Sequence, residues 1–379
     1  GYPSPDEMAL ISPTGPAWAP QNHLEPLLLQ LLGSQPSATV RSGVALASLT
    51  QDDSGVSAVL STETGELQHV QADYLVGADG AHSTVRGKLG IAMEGSDDLG
   101  EYHRVEFSAD LADVVADRRY GLYVVTHPEA EGVLAQRGSS GRWGFTREWR
   151  PGQDRLVDYT PERLVRLIRT ATGAAELSVR LEQRSSFTFA AQIAQRYRAG
   201  RCFLVGEPAH RMTPRGGTGM NTAIQDGYNL AWKLAWVLGG WATPALLDSY
   251  ENERRPVGLH NIERSAQPGG ARQDSAEALA WDLGGRLAHH WIVPDRVSTL
   301  DLVGDGLTLL TGLRSEGWAR ALAGLRTRAP LSTHTLPAAT AEALGLEPTG
   351  AVMVRPDALP VGQWPEAVVP LVIDGVPGL

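Results

Sequence analysis

The residues best suited by type and spacing to do chemistry begin at Arg201-Cys-Phe-Leu-Val-Gly206-Glu207-Pro208-Ala209-His210. They run on into Pro214-Arg215-Gly216-Gly217-Thr218-Gly219-Met220-Asn221. A short apolar strand there delivers a carboxylate, and a glycine-rich loop delivers backbone N–H groups to the start of a long helix. Unpaired N–H groups at the positive end of a helix suit an anion or a developing negative charge. The loop glycines let the backbone approach a flat ligand closely. A tight helix start with no ligand is the other use of the same residues.

A second segment, Gly77-Ala78-Asp79-Gly80-Ala81-His82-Ser83-Thr84-Val85-Arg86, follows the apolar run Tyr74-Leu75-Val76. A strand that stops at Gly-x-Asp-Gly presents N–H groups and a carboxylate at the carboxyl edge of a sheet, where α/β folds bind dinucleotides. Ser83 is a helix-capping residue by position, and Arg86 has a fork of donors suited to phosphate. An ordinary strand–turn–helix with a capping serine would use the same residues.

The elements that must position these segments are legible in the hydrophobic pattern. Leu24, Leu27, Leu28, Leu31 and Leu32 recur at helical spacing after Pro13, Pro16 and Pro20. From Ala38 to Val70 the pattern alternates, with a hairpin expected near Thr64-Gly65. Tyr74–Gly77 reads as a short buried strand, as does Cys202–Val205. A sheet-rich region runs from Tyr102 to about Phe189, with one helix at about 161–172. Helices are expected at about 220–238 and 244–268, then a linker at Gln267-Pro268-Gly269-Gly270. Beyond it, Ser298–Leu302 and Leu307–Leu310 read as strands of a small α/β unit.

Composition excludes several function classes. The 379 residues carry a formal net charge of −10, with 42% hydrophobic and 20% charged residues and no run of like charge, so no nucleic-acid-binding stripe exists. Cys202 is the sole cysteine, which rules out an internal disulfide or a cysteine zinc cluster, and its apolar neighbours mark it as a buried structural thiol. No metal site or nucleophile triad is visible. No apolar stretch is long enough for a transmembrane helix, and no signal peptide opens the chain, so a cytoplasmic location and no membrane partner are expected. The absent initiator Met and loop-like opening lead us to expect a chain that begins partway through a longer protein.

The two glycine segments together resemble the second and third flavin fingerprints of the class A flavoprotein monooxygenases, the p-hydroxybenzoate-hydroxylase-like aromatic hydroxylases. The match continues through Asp226, Asn229-Leu-Ala-Trp-Lys233 and Asp248-Ser-Tyr250-Glu251-x-Glu253-Arg254-Arg255-Pro256. Arg286-Leu-Ala-His289-His290-Trp291 and Ser298–Leu302 resemble the subfamily that hydroxylates phenols and polyketide aromatics. The resemblance implies an α/β fold with four parts. These are an incomplete Rossmann-like FAD-binding domain at 1–98 and 191–268, a β-sheet substrate domain at 99–190, and a thioredoxin-like C-terminal domain at 269–379 without Cys-x-x-Cys.

It also implies FAD as cofactor, NADPH or NADH as co-substrate, O2, and a small aromatic substrate, with a homodimer left open. The cofactor-binding set is Gln21, Asp79, Gly80, Gly206, Glu207, Gly216, Gly217, Gly219, Met220 and Asn221. Two departures stand out. No strand followed by Gly-x-Gly-x-x-Gly opens the chain to hold the ADP half of FAD, and Glu207 stands where the family usually has Asp.

In this family the sheet-rich segment covers the flavin and forms the substrate pocket. Alternation along 142–149 puts Trp143, Phe145, Arg147 and Trp149 on one face, an aromatic wall with one arginine that suits a planar, acidic or polyoxygenated substrate. Sheet core packing is the other explanation of the aromatics. Phe187, Phe189 and Gln192 are further pocket candidates, Pro214 and Arg147 are the candidates for catalysis, and His103 reads as structural. The implied mechanism passes reducing equivalents from the nicotinamide to FAD and an oxygen atom from a flavin C4a-hydroperoxide to the ring. A flavin-deficient binding protein of the same fold and a Baeyer–Villiger oxygen insertion are the alternatives.

Overall fold

A computed structural model of the chain describes residues 5–377 apart from 16, 18, 119, 139, 140, 268–280, 372, 374 and 375. The linker read at Gln267–Gly270 therefore lies mostly outside the described residues. The chain opens with α1 (Pro5–Ala9), α2 (Gln21–Gly33), β1 (Val44–Gln51), β2 (Val56–Thr62), β3 (Leu67–Ala72), β4 (Leu75–Gly77), α3 (Thr84–Lys88) and β5 (Met93–Ser96). Next come β6 (Glu101–Ser108), α4 (Ala112–Val115), β7 (Leu122–Val125), β8 (Gly132–Gln136), β9 (Arg142–Glu148), α5 (Pro161–Thr172) and β10 (Arg180–Thr188). After these lie β11 (Ala191–Ala194), β12 (Arg198–Ala199), β13 (Cys202–Leu204), β14 (His210–Arg211), α6 (Gly219–Leu238) and α7 (Asp248–Ala266). The C-terminal part holds β15 (Trp291–Val293), β16 (Val297–Ser298), β17 (Leu307–Thr311), α8 (Trp318–Ala323), β18 (Leu331–Thr335), α9 (Ala338–Ala343), β19 (Ala351–Val354) and β20 (Pro360–Trp364).

These elements form two compact units: Gly1–Pro16 with Ala45–Gly95 and Ala191–Leu379, and Ala17–Val44 with Ser96–Ala190. In the first, β1, β2 and β3 make a meander whose β2–β3 hairpin turns between Thr62 and Glu66. Strand β4 pairs in parallel with β13, and β13 pairs antiparallel with β12. The expected burial of β4 is corrected here. Val76 is 42% exposed, because among the described residues β4 is the outer strand of its sheet. By contrast, Cys202, Phe203 and Leu204 are fully buried, as their uninterrupted apolar run requires.

The C-terminal sheet has the order β18-β17-β19-β20, with β17 parallel to β18 and antiparallel to β19. Its core residues Leu307, Leu309, Trp318 and Met353 share a cluster with Trp232 and Trp236 of α6. Ser298–Leu302, expected as a strand, is instead the end of β16 followed by a 3-10 turn. Ser298 and Asp301 close a capping box there, and the local side-chain bonds outcompete a ladder.

The second unit is built on the antiparallel sheet β10-β6-β9-β8-β7. Helix α5 starts at Thr160, whose hydroxyl accepts from the Arg163 N–H, has Pro161 in its first turn, and stops at Gly173 with φ 70°. Its stripe of Leu164, Leu167 and Ile168 packs with Val105, Phe107, Leu134, Trp143 and Phe145 in one core. In α2, by contrast, Leu27, Leu28, Leu29, Leu31 and Leu32 are all exposed, so the helical spacing there does not mark a covered face.

Candidate functional site

Strands β4 and β13 run side by side with Leu75 opposite Cys202, Val76 opposite Phe203 and Gly77 opposite Leu204. Both therefore end at the same edge, and the Val205 N–H still donates to the Gly77 carbonyl at 3.0 Å. The loops beyond them meet: a Cβ placed on Gly80 would lie 3.9 Å from Oε2 of Glu207. Parallel strands that stop together put two sets of loop N–H groups and carboxylates on one rim.

The Asp79 carboxylate accepts from the Ser83 hydroxyl at 2.5 Å and from the Val85 N–H at 3.0 Å, while Ser83 Oγ accepts from the Arg86 N–H at 2.9 Å. The start of α3 is thus capped twice. Arg86 spends two of its five donors within the fold. Its Nη1 donates to the Pro208 carbonyl at 3.2 Å and its Nη2 to the Ala81 carbonyl at 3.0 Å, which ties the two loops together. Glu207 is exposed, and its carboxylate has no hydrogen-bond partner among the described residues.

The glycine-rich loop leads straight into α6, which begins at Gly219. Thr218, its N-cap, makes no side-chain cap, and the first helical bond runs from the Thr222 N–H to the Thr218 carbonyl. The N–H groups of Gly219, Met220 and Asn221 are therefore not used by the helix. Pro214, Gly217, Met220 and Asn221 are exposed, and Gly216 and Gly219 are half-buried. The Pro214 carbonyl accepts from the Gly217 N–H at 3.1 Å, closing the turn.

A buried network missed by the sequence reading holds this loop from behind. Asp226, with no exposed surface, accepts from the Gly206 N–H at 3.3 Å, from Nε2 of His210 at 2.7 Å and from Nε of Arg254 at 2.8 Å. Gly206 itself has φ 69°, and a Cβ there would lie 3.1 Å from Cβ of Ala223 on α6, so the loop can approach the helix only as glycine. The Tyr250 hydroxyl donates to the Leu204 carbonyl at 2.7 Å, and burial pushes its ionisation far up, so it stays a neutral donor. Thr213 is clamped by Ser265 through its N–H at 3.1 Å and its hydroxyl at 2.6 Å. The signal for Asp226 was its place in the family pattern, but its burial and partners depend on long-range packing.

In the second unit the expected substrate wall needs correction. Trp143 and Phe145 are 5% and 0% exposed, and both pack into the core under α5. The aromatic face of β9 is core. Arg147 lies on that same side, directly opposite the buried His103. His103 is structural as expected: its Nδ1 accepts from the Leu156 N–H at 2.9 Å and its Nε2 meets Glu101 at 2.8 Å.

The opposite face of the sheet, through the pairs Tyr102–Glu148, Arg104–Thr146 and Glu106–Gly144, carries a different set of side chains. Phe187 stands there beside Tyr102, with ring centroids 6.1 Å apart, and Tyr102 stacks on Phe189 at 3.7 Å. Arg104 lies over the Phe187 ring at 4.9 Å. Gln21 donates to Glu25 one turn along α2 at 2.5 Å. Gln192, in the first unit, accepts from Arg211 at 2.9 Å.

The first unit is therefore a mixed α/β arrangement in which two loops meet at one edge of a parallel strand pair, beside a glycine-rich helix start. The sequence profile of the FAD binding domain family matches residues 4–265, and the chain belongs to that family. The tetracenomycin A2 monooxygenase-dioxygenase of Streptomyces glaucescens is 34% identical over 92% of this chain and 72% of its own length. The aklavinone 12-hydroxylase of Streptomyces purpurascens is 33% identical over 96% of this chain and 78% of its own. A crystal structure of aklavinone-11 hydroxylase in a ternary complex with FAD and aklavinone superposes with TM-score 0.85 at 31% identity, covering 96% of this chain and 78% of that one. No helix among the described residues is long and apolar enough to cross a membrane, and no group of side chains among them could hold a metal ion.

Proposed function

We propose that the chain acts as an FAD-dependent monooxygenase that hydroxylates an aromatic, polyketide-like substrate with O2 and NADPH or NADH. The observation that carries this reading is the meeting of the Gly77–Gly80 and Gly206–Asn221 loops at one edge of the β4–β13 pair, beside the unused N–H groups of α6. The residues present fit the cofactor: the loop that would face a flat ring system is glycine at 216, 217 and 219, and its backbone donors have no acceptor in the helix. When bound, FAD supplies the redox chemistry that joins the nicotinamide, O2 and the substrate ring.

The chain's own residues have three tasks in this reading. Gly216, Gly217, Gly219 and the N–H groups of Met220 and Asn221 hold the ring system and favour negative charge on it. Glu207, exposed and unpaired, takes the ribityl chain in place of the shorter Asp of the family. Asp226, through His210, Arg254 and the Gly206 N–H, keeps the loop in shape. Pro214 closes the turn that aims those donors.

The C-terminal part is proposed as a thioredoxin-like domain. The support is its strand order, second-first-third-fourth, with a parallel first pair and antiparallel later strands. Without a Cys-x-x-Cys it has no dithiol chemistry, and its role in this reading is structural, through the Trp232–Trp236 contact with α6.

The test is product analysis. FAD, NADPH and aklavinone are supplied to the protein under 18O2, and products are read by mass spectrometry. A ring-hydroxylated product carrying one labelled oxygen supports the reading. Nicotinamide oxidation with hydrogen peroxide as the sole product, across a panel of anthraquinones and naphthacenequinones, would contradict it. A lactone in place of a phenol would favour oxygen insertion.

A further inference from the structure

The face of the β10-β6-β9-β8-β7 sheet opposite α5 carries a charge imbalance that its own described residues do not resolve. Gly144 of β9 is the floor. A Cβ there would lie 3.5 Å from Cγ and Cδ of Arg137 and 3.8 Å from Cδ of Arg104, so two arginine stems converge over it, one from β6 and one from just past the end of β8. Among the described residues the only carboxylate paired with them is Glu106, which meets Nε of Arg137 at 3.5 Å. Arg104 spends its Nε on the Thr146 hydroxyl at 3.4 Å, and neither of its terminal nitrogens has a partner among the described residues. It is half-buried, and burial, with Arg137 adding to it, works against its charge while Glu106 alone works for it.

Two guanidinium groups and one carboxylate leave one positive charge in a place that is costly for an unpaired cation. The guanidinium plane of Arg104 also lies over the Phe187 ring, next to the Tyr102–Phe189 stack. A planar arginine with a free fork beside stacked aromatics matches an oxyanion carried on a flat aromatic ring. An uncharged ring would use the aromatics and leave the fork unmet.

We infer that Arg104, supported by Arg137 over Gly144, recognises an oxyanion on the aromatic substrate, a carboxylate or an ionised phenol, and so selects acidic aromatics over neutral ones. This rests on the aromatic-hydroxylase reading for the identity of the ligand as substrate, but the binding it describes is measured without turnover. Arg147, on the core side of β9, has no part in it.

The test is equilibrium binding by calorimetry with two probes, 1-hydroxy-2-naphthoate and the neutral 2-naphthol, on the full chain and on Arg104→Gln, Arg104→Lys, Arg137→Gln and Arg147→Gln. FAD content and melting temperature are recorded for each. Arg104→Gln is expected to weaken the naphthoate by about tenfold or more, the size of a lost charge-assisted hydrogen bond, and to leave the naphthol within about twofold. Arg104→Lys should recover part of the loss, and Arg137→Gln should weaken the naphthoate less than Arg104→Gln. The inference is overturned if wild type binds both probes alike, if Arg104→Gln weakens both equally, or if Arg147→Gln carries the loss. Should Arg104→Gln fail to fold, Arg104→Lys and Arg137→Gln decide by the same ratio of the two probes. Selective naphthoate binding by a chain that forms no hydroxylated product would sink the hydroxylase reading and leave the oxyanion site standing.

Discussion

Arg355 meets Glu253 end to end: its Nη1 and Nη2 each lie 2.8 Å from a different oxygen of that carboxylate. The same carboxylate accepts from Lys233 at 2.9 Å and Asn229 at 2.8 Å, and Arg355 also bonds Asp357. Lys233 belongs to α6, Glu253 to α7, and Arg355 follows β19. One ion cluster thus fastens the C-terminal sheet to the helix whose first turn borders the glycine loop.

Removing the shared carboxylate should be costly, because Lys233 would lose the carboxylate it bonds and Arg355 one of its two, both cations being largely buried. Glu253→Gln is expected to lower the unfolding free energy by about 3–5 kcal/mol. Urea denaturation checks this, and a change below about 1 kcal/mol would mean that water reaches the cluster and screens it.

The same carboxylate sets a pH dependence. Burial pushes Glu253 upward, but Arg355, Lys233 and Asn229 outweigh it and hold its pKa down at about 2, against 4.5 for a free side chain. A depressed folded-state value means that its contribution is present above about pH 4.5 and is lost as pH falls toward 2. The stability gap between wild type and Glu253→Gln should therefore narrow over that window. A constant gap from pH 6 to pH 2 would contradict the assignment.

Gly258 on α7 lies against Tyr197, and an added Cβ would overlap the Tyr197 hydroxyl, which is buried without a hydrogen-bond partner among the described residues. Gly258→Ala should destabilise by about 1–3 kcal/mol through overpacking. Tyr197→Phe should be close to neutral alone, since it removes an unsatisfied group, and should recover part of the Gly258→Ala loss. Melting temperatures of the two single variants and the double variant give the coupling, and strict additivity would refute the clash.

Gly206→Ala tests the loop. It places a side chain at φ 69° and against Ala223, so the N–H bond to Asp226 should be disturbed. FAD affinity is expected to fall by about tenfold or more, on the scale of 1–3 kcal/mol for a strained backbone position. Fluorescence titration with FAD measures it, and an unchanged affinity would separate the loop from cofactor binding.

Much of the fold was readable because periodicity and punctuation agreed. The helices at 161–172 and 219–238, the hairpin at Thr62–Glu66 and the buried strand 202–204 are each carried by a local pattern. The glycine segments were readable as a flavin site because backbone requirements survive in residue type. What could not be read was direction. Alternation placed Trp143, Phe145 and Arg147 together correctly, but which face α5 covers is a tertiary fact, and α5 covers theirs. The partner face, with Arg104 and Phe187 both half-buried, was hidden for the same reason. Ser298–Leu302 misled because its apolar alternation competes with a capping box that forms only when Asp301 turns back to the Ser298 N–H.

The central claim is that the Gly77–Gly80 and Gly206–Asn221 loops form a flavin site. The most direct measurement is titration of the protein with FAD, reading quenching of flavin fluorescence and the shifted visible absorption bands. The account predicts saturable binding of one flavin per chain that Gly206→Ala weakens. No saturable binding by a chain with a cooperative melting transition, or binding that Gly206→Ala leaves untouched, would contradict it.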